Sequence, residues 1–193
     1  SPPPGRPPRL RNPSPFPRPM RSSDVVLRLA TSADAALLAE LGARTFRDTF
    51  AADNRPEDME AYLASHYSPE LQERELREPS RFFLLAEVEG TPAGFALLDE
   101  GTAEPGVSGR RPLHVDRLYV DKPFLGAGVG GALMRRCFDE ARARGHDVLW
   151  LCVWERNFRA RAFYERWGFT EVGETTFVLG SDAQRDLVLS IPL

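Results

Sequence analysis

Hydrophobic and polar positions change period several times along this chain, and each change marks an element. Val25 to Leu29 reads as a short strand. Thr31 or Ser32 then stands as a cap before Ala35, Leu38, Leu41 and Phe46, which recur at helical spacing. Asn54, Pro56 and Glu57 open a second helix through Met59, Tyr62 and Leu63, and Ser68-Pro69 opens a short third one. Phe82 to Val88 and Ala93 to Leu98 predict two strands, joined by the turn residues Glu89-Gly90-Thr91-Pro92. Residues 101–111 read as a flexible loop.

Beyond that loop, Leu113 to Val120 reads as a strand and Asp121 to Gly128 as a Gly-containing loop. Val129 to Arg144 is helical, with Leu133, Cys137, Phe138 and Ala141 on one face. Val148 to Val153 is apolar throughout, the pattern of a central strand covered on both faces. Asn157 to Trp167 predicts a helix ended by Gly168, and Phe169 to Val178 and Leu187 to Ile191 predict the last strands. No internal repeat interrupts this alternation of strands and helices.

Composition bounds the picture. A length of 193 residues suits one domain with a full core. No apolar run approaches the roughly 20 residues of a membrane helix, so no membrane association is expected. Cys137 and Cys152 both lie in apolar stretches and read as buried thiols rather than a disulfide framework, which points to a cytoplasmic location. Residues 1–23 hold five arginines, many prolines and no acid. They read as a disordered tail outside a domain spanning residues 24–193. The net charge of −3 therefore leaves −8 on the domain, which disfavours nucleic acid and suits a cationic small partner. No metal-ligand pattern stands out.

The first chemical signal is Leu125 to Leu133, LGAGVGGAL, which follows a strand and opens a helix. Gly126, Gly128, Gly130 and Gly131 keep side chains away from a close-lying ligand. Unpaired amides at the positive end of a helix dipole suit a pyrophosphate. Packing alone could also explain such glycines, and a dinucleotide site shares their rhythm. Against the dinucleotide reading, the motif comes late in the chain and no acid ends the next strand at Val153 to hold a ribose. A Walker loop is excluded because no Gly-Lys-Ser/Thr follows.

The second signal is the run from Asn157 through Ala160, Phe163 and Tyr164 to Gly168-Phe169, one strand after the glycine helix. Together the two blocks, within residues 116–170, resemble the Gcn5-related N-acetyltransferase (GNAT) superfamily. There, Gln/Arg-x-x-Gly-x-Gly/Ala is followed by Asn-x-x-Ala-x-x-Phe-Tyr-x-x-x-Gly-Phe. Thr45 to Phe50, Ala61 to Ser65 and Leu151 to Asn157 extend the resemblance to bacterial PaiA-type polyamine acetyltransferases over residues 25–193. Leu125 departs from the pattern, because a polar residue usually stands there to help hold the phosphates.

That resemblance implies an α/β (α+β) fold with a mixed, mostly antiparallel sheet of six to seven strands. Helices cover both faces and two strands splay apart. It implies acetyl-CoA as cofactor, held by Leu118, Tyr119, Val120, Leu125, Gly126, Ala127, Gly128, Val129, Gly130, Gly131, Ala132, Asn157, Ala160, Phe163 and Tyr164. An amine would attack the acetyl carbonyl directly. Tyr164, a phenol neutral at pH 7, is the candidate acid for the leaving thiolate; its helical spacing with Ala160, Phe163 and Trp167 also allows a core role. His114 and Asp116, two apart on one strand and so on one face, are the candidate bases. Asp48, Asp53, Trp154 and Glu155 are nominated for the acceptor pocket, since acids and an aromatic face suit a polyamine. The alternatives are a protein, drug or amino-acid amine as acceptor, or a non-catalytic acyl-CoA-binding module. A homodimer would be usual for such an enzyme.

Overall fold

The computed structural model describes Arg21 and residues 24–193; the Pro- and Arg-rich tail therefore lies outside the described residues, Arg21 apart. The elements run β1 (Val25–Leu29), α1 (Ala35–Phe50), α2 (Pro56–His66), α3 (Pro69–Arg77), β2 (Arg81–Val88), β3 (Thr91–Asp99) and β4 (Pro112–Val120). They continue with α4 (Val129–Ala143), β5 (Val148–Trp154), α5 (Phe158–Arg166), β6 (Thr170–Leu179) and β7 (Asp182–Pro192). Among the described residues seven strands form one sheet in the order β1-β2-β3-β4-β5-β7-β6. Every neighbouring pair is antiparallel except β4 with β5.

The two faces of the sheet carry separate cores. On one, Leu113, Val115, Leu149, Leu151, Leu187 and Leu189 pack against Leu133, Cys137 and Phe138 of α4 and Tyr164 of α5. On the other, Phe83, Phe95 and Leu97 meet Leu38 and Leu41 of α1. Met59 and Leu63 of α2 close a third cluster with Phe46 and Leu179. The four-residue hydrophobic rhythm of α1 and α4 thus faces inward, and area removed from water is the main stabilising term.

Several boundaries differ from the sequence reading. Thr31 caps a short 3-10 turn, Ser32–Asp34, before α1 begins. Arg55, not Asn54, precedes α2. Asn54 instead donates to the Phe50 carbonyl (2.8 Å) and accepts from Gln184 of β7 (3.0 Å), pinning the α1–α2 corner to the sheet. The β2–β3 hairpin turns on Glu89-Gly90 alone, both at positive φ (51° and 77°), so the strands reach Val88 and start at Thr91. The last strand begins at Asp182 rather than Leu187, because Gly180 at φ 60° makes a tight hairpin back from β6. The apolar strand β5 is central as expected, but its pairing to β4 is incomplete, and that incompleteness builds the site.

Candidate active site

The parallel pairing of β4 with β5 covers three residue pairs only, Pro112↔Val148, Leu113↔Leu149 and His114↔Trp150. Beyond these the strands part. A bulge in β4 accompanies the parting: Leu97 pairs with Arg117 and Leu98 with Val115, leaving Asp116 without a partner on β3. A bulge sharpens twist and bends its strand away. The backbone of residues 116–120 thus presents N–H and C=O groups to a gap rather than to a neighbouring strand. Leu118, Tyr119 and Val120 belong to this unpaired stretch.

The gap leads to the glycine loop. Asp121, at the end of β4, is 6 % exposed; it accepts from the Lys122 amide (3.1 Å) and from Arg44 of α1 (3.1 and 3.0 Å). Asp121 thereby fixes where the loop starts. Gly126 (φ 81°) and Gly128 (φ 84°) adopt left-handed conformations that favour glycine, and Gly128 is the residue before α4. The amides of Leu125, Ala127 and Ala132 are already bonded to Lys122, Phe124 and Gly128. The amides of Gly126, Gly128, Val129, Gly130 and Gly131 have no partner among the described residues and cluster at the N-terminus of α4. A Cβ at Gly126 or Gly131 would meet nothing within 4 Å, so space lies open beside these amides. Leu125, where a polar side chain was expected, is exposed. Val129 points the other way, 1 % exposed in the core.

The two sequence blocks meet here. A Cβ at Gly130 would lie 3.6 Å from the Phe163 ring of α5 and 3.6 Å from Val120. Asn157 caps α5 by accepting from the Ala160 amide (3.2 Å), and Ala160 and Phe163 pack on the α4 core. Tyr164 is 8 % exposed on this same face, against Phe163 and Phe169 (centroids 5.4 and 5.8 Å). Burial pushes its phenol pKa up, so it holds its proton at neutral pH.

The opposite face of the sheet carries the carboxylates. His114, Asp116 and Arg117 share it, because the bulge places two successive side chains on one side. His114 lies flat on Trp150 (3.7 Å, 3°) at the closed end of the gap, and its Nδ1 meets the Thr102 hydroxyl (3.0 Å). Burial lowers its pKa, which keeps the ring neutral. Asp116 is exposed at the bulge. Arg117 is committed elsewhere, to Glu75 of α3 (3.0 Å) and over the Tyr67 ring (5.3 Å).

Of the four nominated acceptor residues, Trp154 lies on this face, against Phe50 of α1 (6.0 Å). Asp48 and Asp53 are exposed on α1 and on the 3-10 turn after it. Glu155 is paired with Arg185 (3.0 Å). The structure adds three residues that the sequence reading did not nominate. Asp186 of β7 stands opposite Trp154 and opposite Thr175 of β6, hence on the same face as both. Tyr62 of α2 stacks on Phe46 (4.5 Å) and His66 (3.9 Å), with its phenol pushed up to about 12 by burial. Phe50 completes the wall. Asp186 escaped notice because the predicted strand began one residue after it.

Among the described residues no group of three or more His, Cys, Asp or Glu could hold a metal ion, and no helix is long and apolar enough to cross a membrane. Comparison with known proteins agrees with the geometry. An N-acetyltransferase of Lactobacillus delbrueckii subsp. lactis is 37% identical over 145 residues, 75% of this chain and 84% of that protein. The PaiA N-acetyltransferase of Thermoplasma acidophilum, solved in complex with coenzyme A, superposes with TM-score 0.71 at 20% identity, covering 88% of this chain and 99% of that one. The YncA protein of Salmonella typhimurium, solved with acetyl-CoA, gives 0.62 at 23% identity, covering 88% and 94%. The model of the acetyltransferase (GNAT) family matches residues 44–169, and the chain belongs to that family.

Proposed function

We propose that this acetyltransferase takes its acetyl group from acetyl-CoA and passes it to the primary amine of a small polycation, with spermidine and spermine as the leading acceptors. The observation that carries this reading is the pair of carboxylates Asp116 and Asp186, set on one face of the β4–β5 gap beside Tyr62 and Trp154. Arg117, beside Asp116, is paired with Glu75, and Arg81 of β2 with Glu75 and Asp99. The groove therefore keeps a negative balance, flanked by aromatic faces that also favour ammonium groups. The PaiA neighbour supports the fold of such an enzyme, and the groove chemistry supports the acceptor.

The other end of the site fits the cofactor. Five unpaired amides and two open glycine positions at the start of α4 match a pyrophosphate. Unpaired groups of residues 116–120 match the amide-bearing arm by strand addition. When bound, the cofactor supplies a thioester carbonyl. The chain then positions it in the gap, with Tyr164 on the α4–α5 side to protonate the sulfur and the carboxylates on the α1–α2 side to meet the amine. Acid and base are kept apart by the sheet itself, so they do not quench one another.

The test is an acceptor panel with acetyl-CoA, reading released thiol. Spermidine and spermine should turn over faster than monoamines of equal chain length and faster than peptide amines. Preference for peptides, or no turnover on any amine, overturns the reading.

A further inference from the structure

We propose that Asp186 on β7 is the catalytic base, receiving the reactive ammonium of the acceptor and taking its proton. This rests on the proposed amine acceptor and adds the residue that prepares it. Asp186 differs from the other sheltered carboxylates described. Asp34 binds Arg28 (2.8 Å), Asp99 binds Arg81 (2.8 Å), Asp121 binds Arg44 (3.0 Å) and Glu75 binds Arg81 and Arg117 (2.9 and 3.0 Å). Among the described residues Asp186 has no ion pair, and its buried Oδ1 has no hydrogen-bond partner. Leaving a carboxylate oxygen dry and unpaired opposes folding. Nothing in the packing of β7 needs an acid there, since Val188 and Ser190 on the same face are an apolar and a neutral residue.

Position gives the residue its use. Asp186 lies diagonal to Cys152, whose thiol is pushed up to about 12 by burial first and then by Asp186, Glu104 and Asp116. Tyr62 of α2 also senses both Asp116 and Asp186, and Arg117 opposes them. Asp186 thus acts on Tyr62 from α2 and Cys152 from β5; Asp116 and Arg117 from β4 act on Tyr62, Asp116 and Glu104 of the 101–111 loop act on Cys152, and β6 places the uncharged Thr175 opposite Asp186. Arg185, its chain neighbour, turns to Glu155 and Glu174 instead. Desolvation raises the Asp186 carboxyl to about 6, basic enough to accept a proton yet ionised at neutral pH. His114, by contrast, is held flat on Trp150 and bonded at Nδ1.

The step balances as follows. The ammonium gives one proton to the Asp186 carboxylate, which later releases it to water. The freed nitrogen lone pair bonds to the thioester carbon, and the C–S bond breaks with its electrons on sulfur. Tyr164 gives its proton to the thiolate and regains one from the amide nitrogen. The products are the N-acetyl amine, free thiol and one proton.

The experiment compares full-length wild-type protein with Asp186→Asn and Asp116→Asn, using acetyl-CoA and the best amine of the panel from pH 5 to 9. Wild-type kcat/KM should show an acid limb near pH 6. Asp186→Asn should lower kcat by ~100-fold or more, the usual worth of a positioned base. Its residual rate should lose that limb and follow the free-amine fraction. The folded state is checked by thermal melting at pH 8, where the asparagine variant should melt no lower than wild type. Asp116→Asn should raise KM and keep the limb. An active wild type with unchanged Asp186→Asn turnover, or with the limb retained in that variant or lost in Asp116→Asn instead, overturns the assignment and leaves the amine acceptor standing. A wild type inactive on every amine overturns both.

Discussion

Gly131→Ala separates what the glycine loop does for the ligand from what it does for the fold. Gly131 lies in the first turn of α4, its φ is not left-handed, and a Cβ built there touches nothing within 4 Å. An alanine at such a position gains helix propensity and loses unfolded-state entropy. Both effects favour the folded protein, by about 0.5–1 kcal/mol together. For a domain of this size that raises Tm by ~1–4 °C. The same Cβ projects into the space beside the free amides of Gly126, Gly128, Val129, Gly130 and Gly131. A diphosphate reaching those amides must then retreat, and loss of one or two charge-assisted hydrogen bonds costs about 1.5–3 kcal/mol each. Affinity for coenzyme A should fall ~10-fold or more, which corresponds to about 1.4 kcal/mol or above. Differential scanning calorimetry of the free protein and isothermal titration with coenzyme A read the two effects separately. A higher Tm with weaker binding is the expected pair. Unchanged affinity would show that the ligand does not approach this turn, and a lower Tm would show that the glycine serves packing.

Three further outcomes follow from the geometry. Tyr164→Phe keeps the ring contacts with Phe163 and Phe169 but removes the buried phenol, so kcat should fall ~100-fold with coenzyme A affinity nearly unchanged; equal kcat would remove Tyr164 from the mechanism. Glu75→Gln takes the counter-charge from Arg117, whose side chain is 15% exposed, and should cost about 3 kcal/mol, or ~6–12 °C in Tm, read by thermal melting. Asp186→Asn should stabilise the protein in one pH range only. Folding raises this carboxyl from 3.8 to about 6, so its ionisation opposes folding: the cost is absent below the lower value and complete above the higher. Urea midpoints for the variant and wild type should therefore coincide near pH 3 and diverge in the variant's favour by pH 8.

Much of this architecture is written locally in the chain. The α1 and α4 repeats, Ser68 and Asn157 as caps, and Gly168 as a helix stop each act within a few residues, and each appears where its chemistry requires. The two motif blocks are brought together by the fold, and Gly130 against Phe163 is their meeting point. What was not legible depends on long-range register. Asn54 looked like a cap but is spent on Phe50 and Gln184, a partner 130 residues away. The β4 bulge leaves no mark in the sequence, because Asp116 is an ordinary polar residue until Leu97 and Leu98 choose their partners. Asp48 and Asp53 stand exposed and Glu155 pairs with Arg185, and charge by itself does not say which side of a strand or helix faces the groove.

The bulge and the gap are one device. If β4 ran straight, its backbone would continue the parallel ladder with β5 beyond His114, and residues 116–120 would spend their amides and carbonyls on that neighbour. One extra residue at Asp116 bends the strand off, leaves those groups unclaimed, and parts β4 from β5 in the middle of the sheet. The two faces are lined by different chemistry because they belong to different cores: the glycine turn, Phe163 and Tyr164 on one side, Asp116, Tyr62, Trp154 and Asp186 on the other. In the proposed reaction, a reactant held by its phosphates on the first face meets an amine from the second where the two strands part. The sheet therefore decides which atoms meet, and the sacrifice of a few ladder hydrogen bonds, each worth about 1 kcal/mol, is small beside the gain from holding two reactants in line.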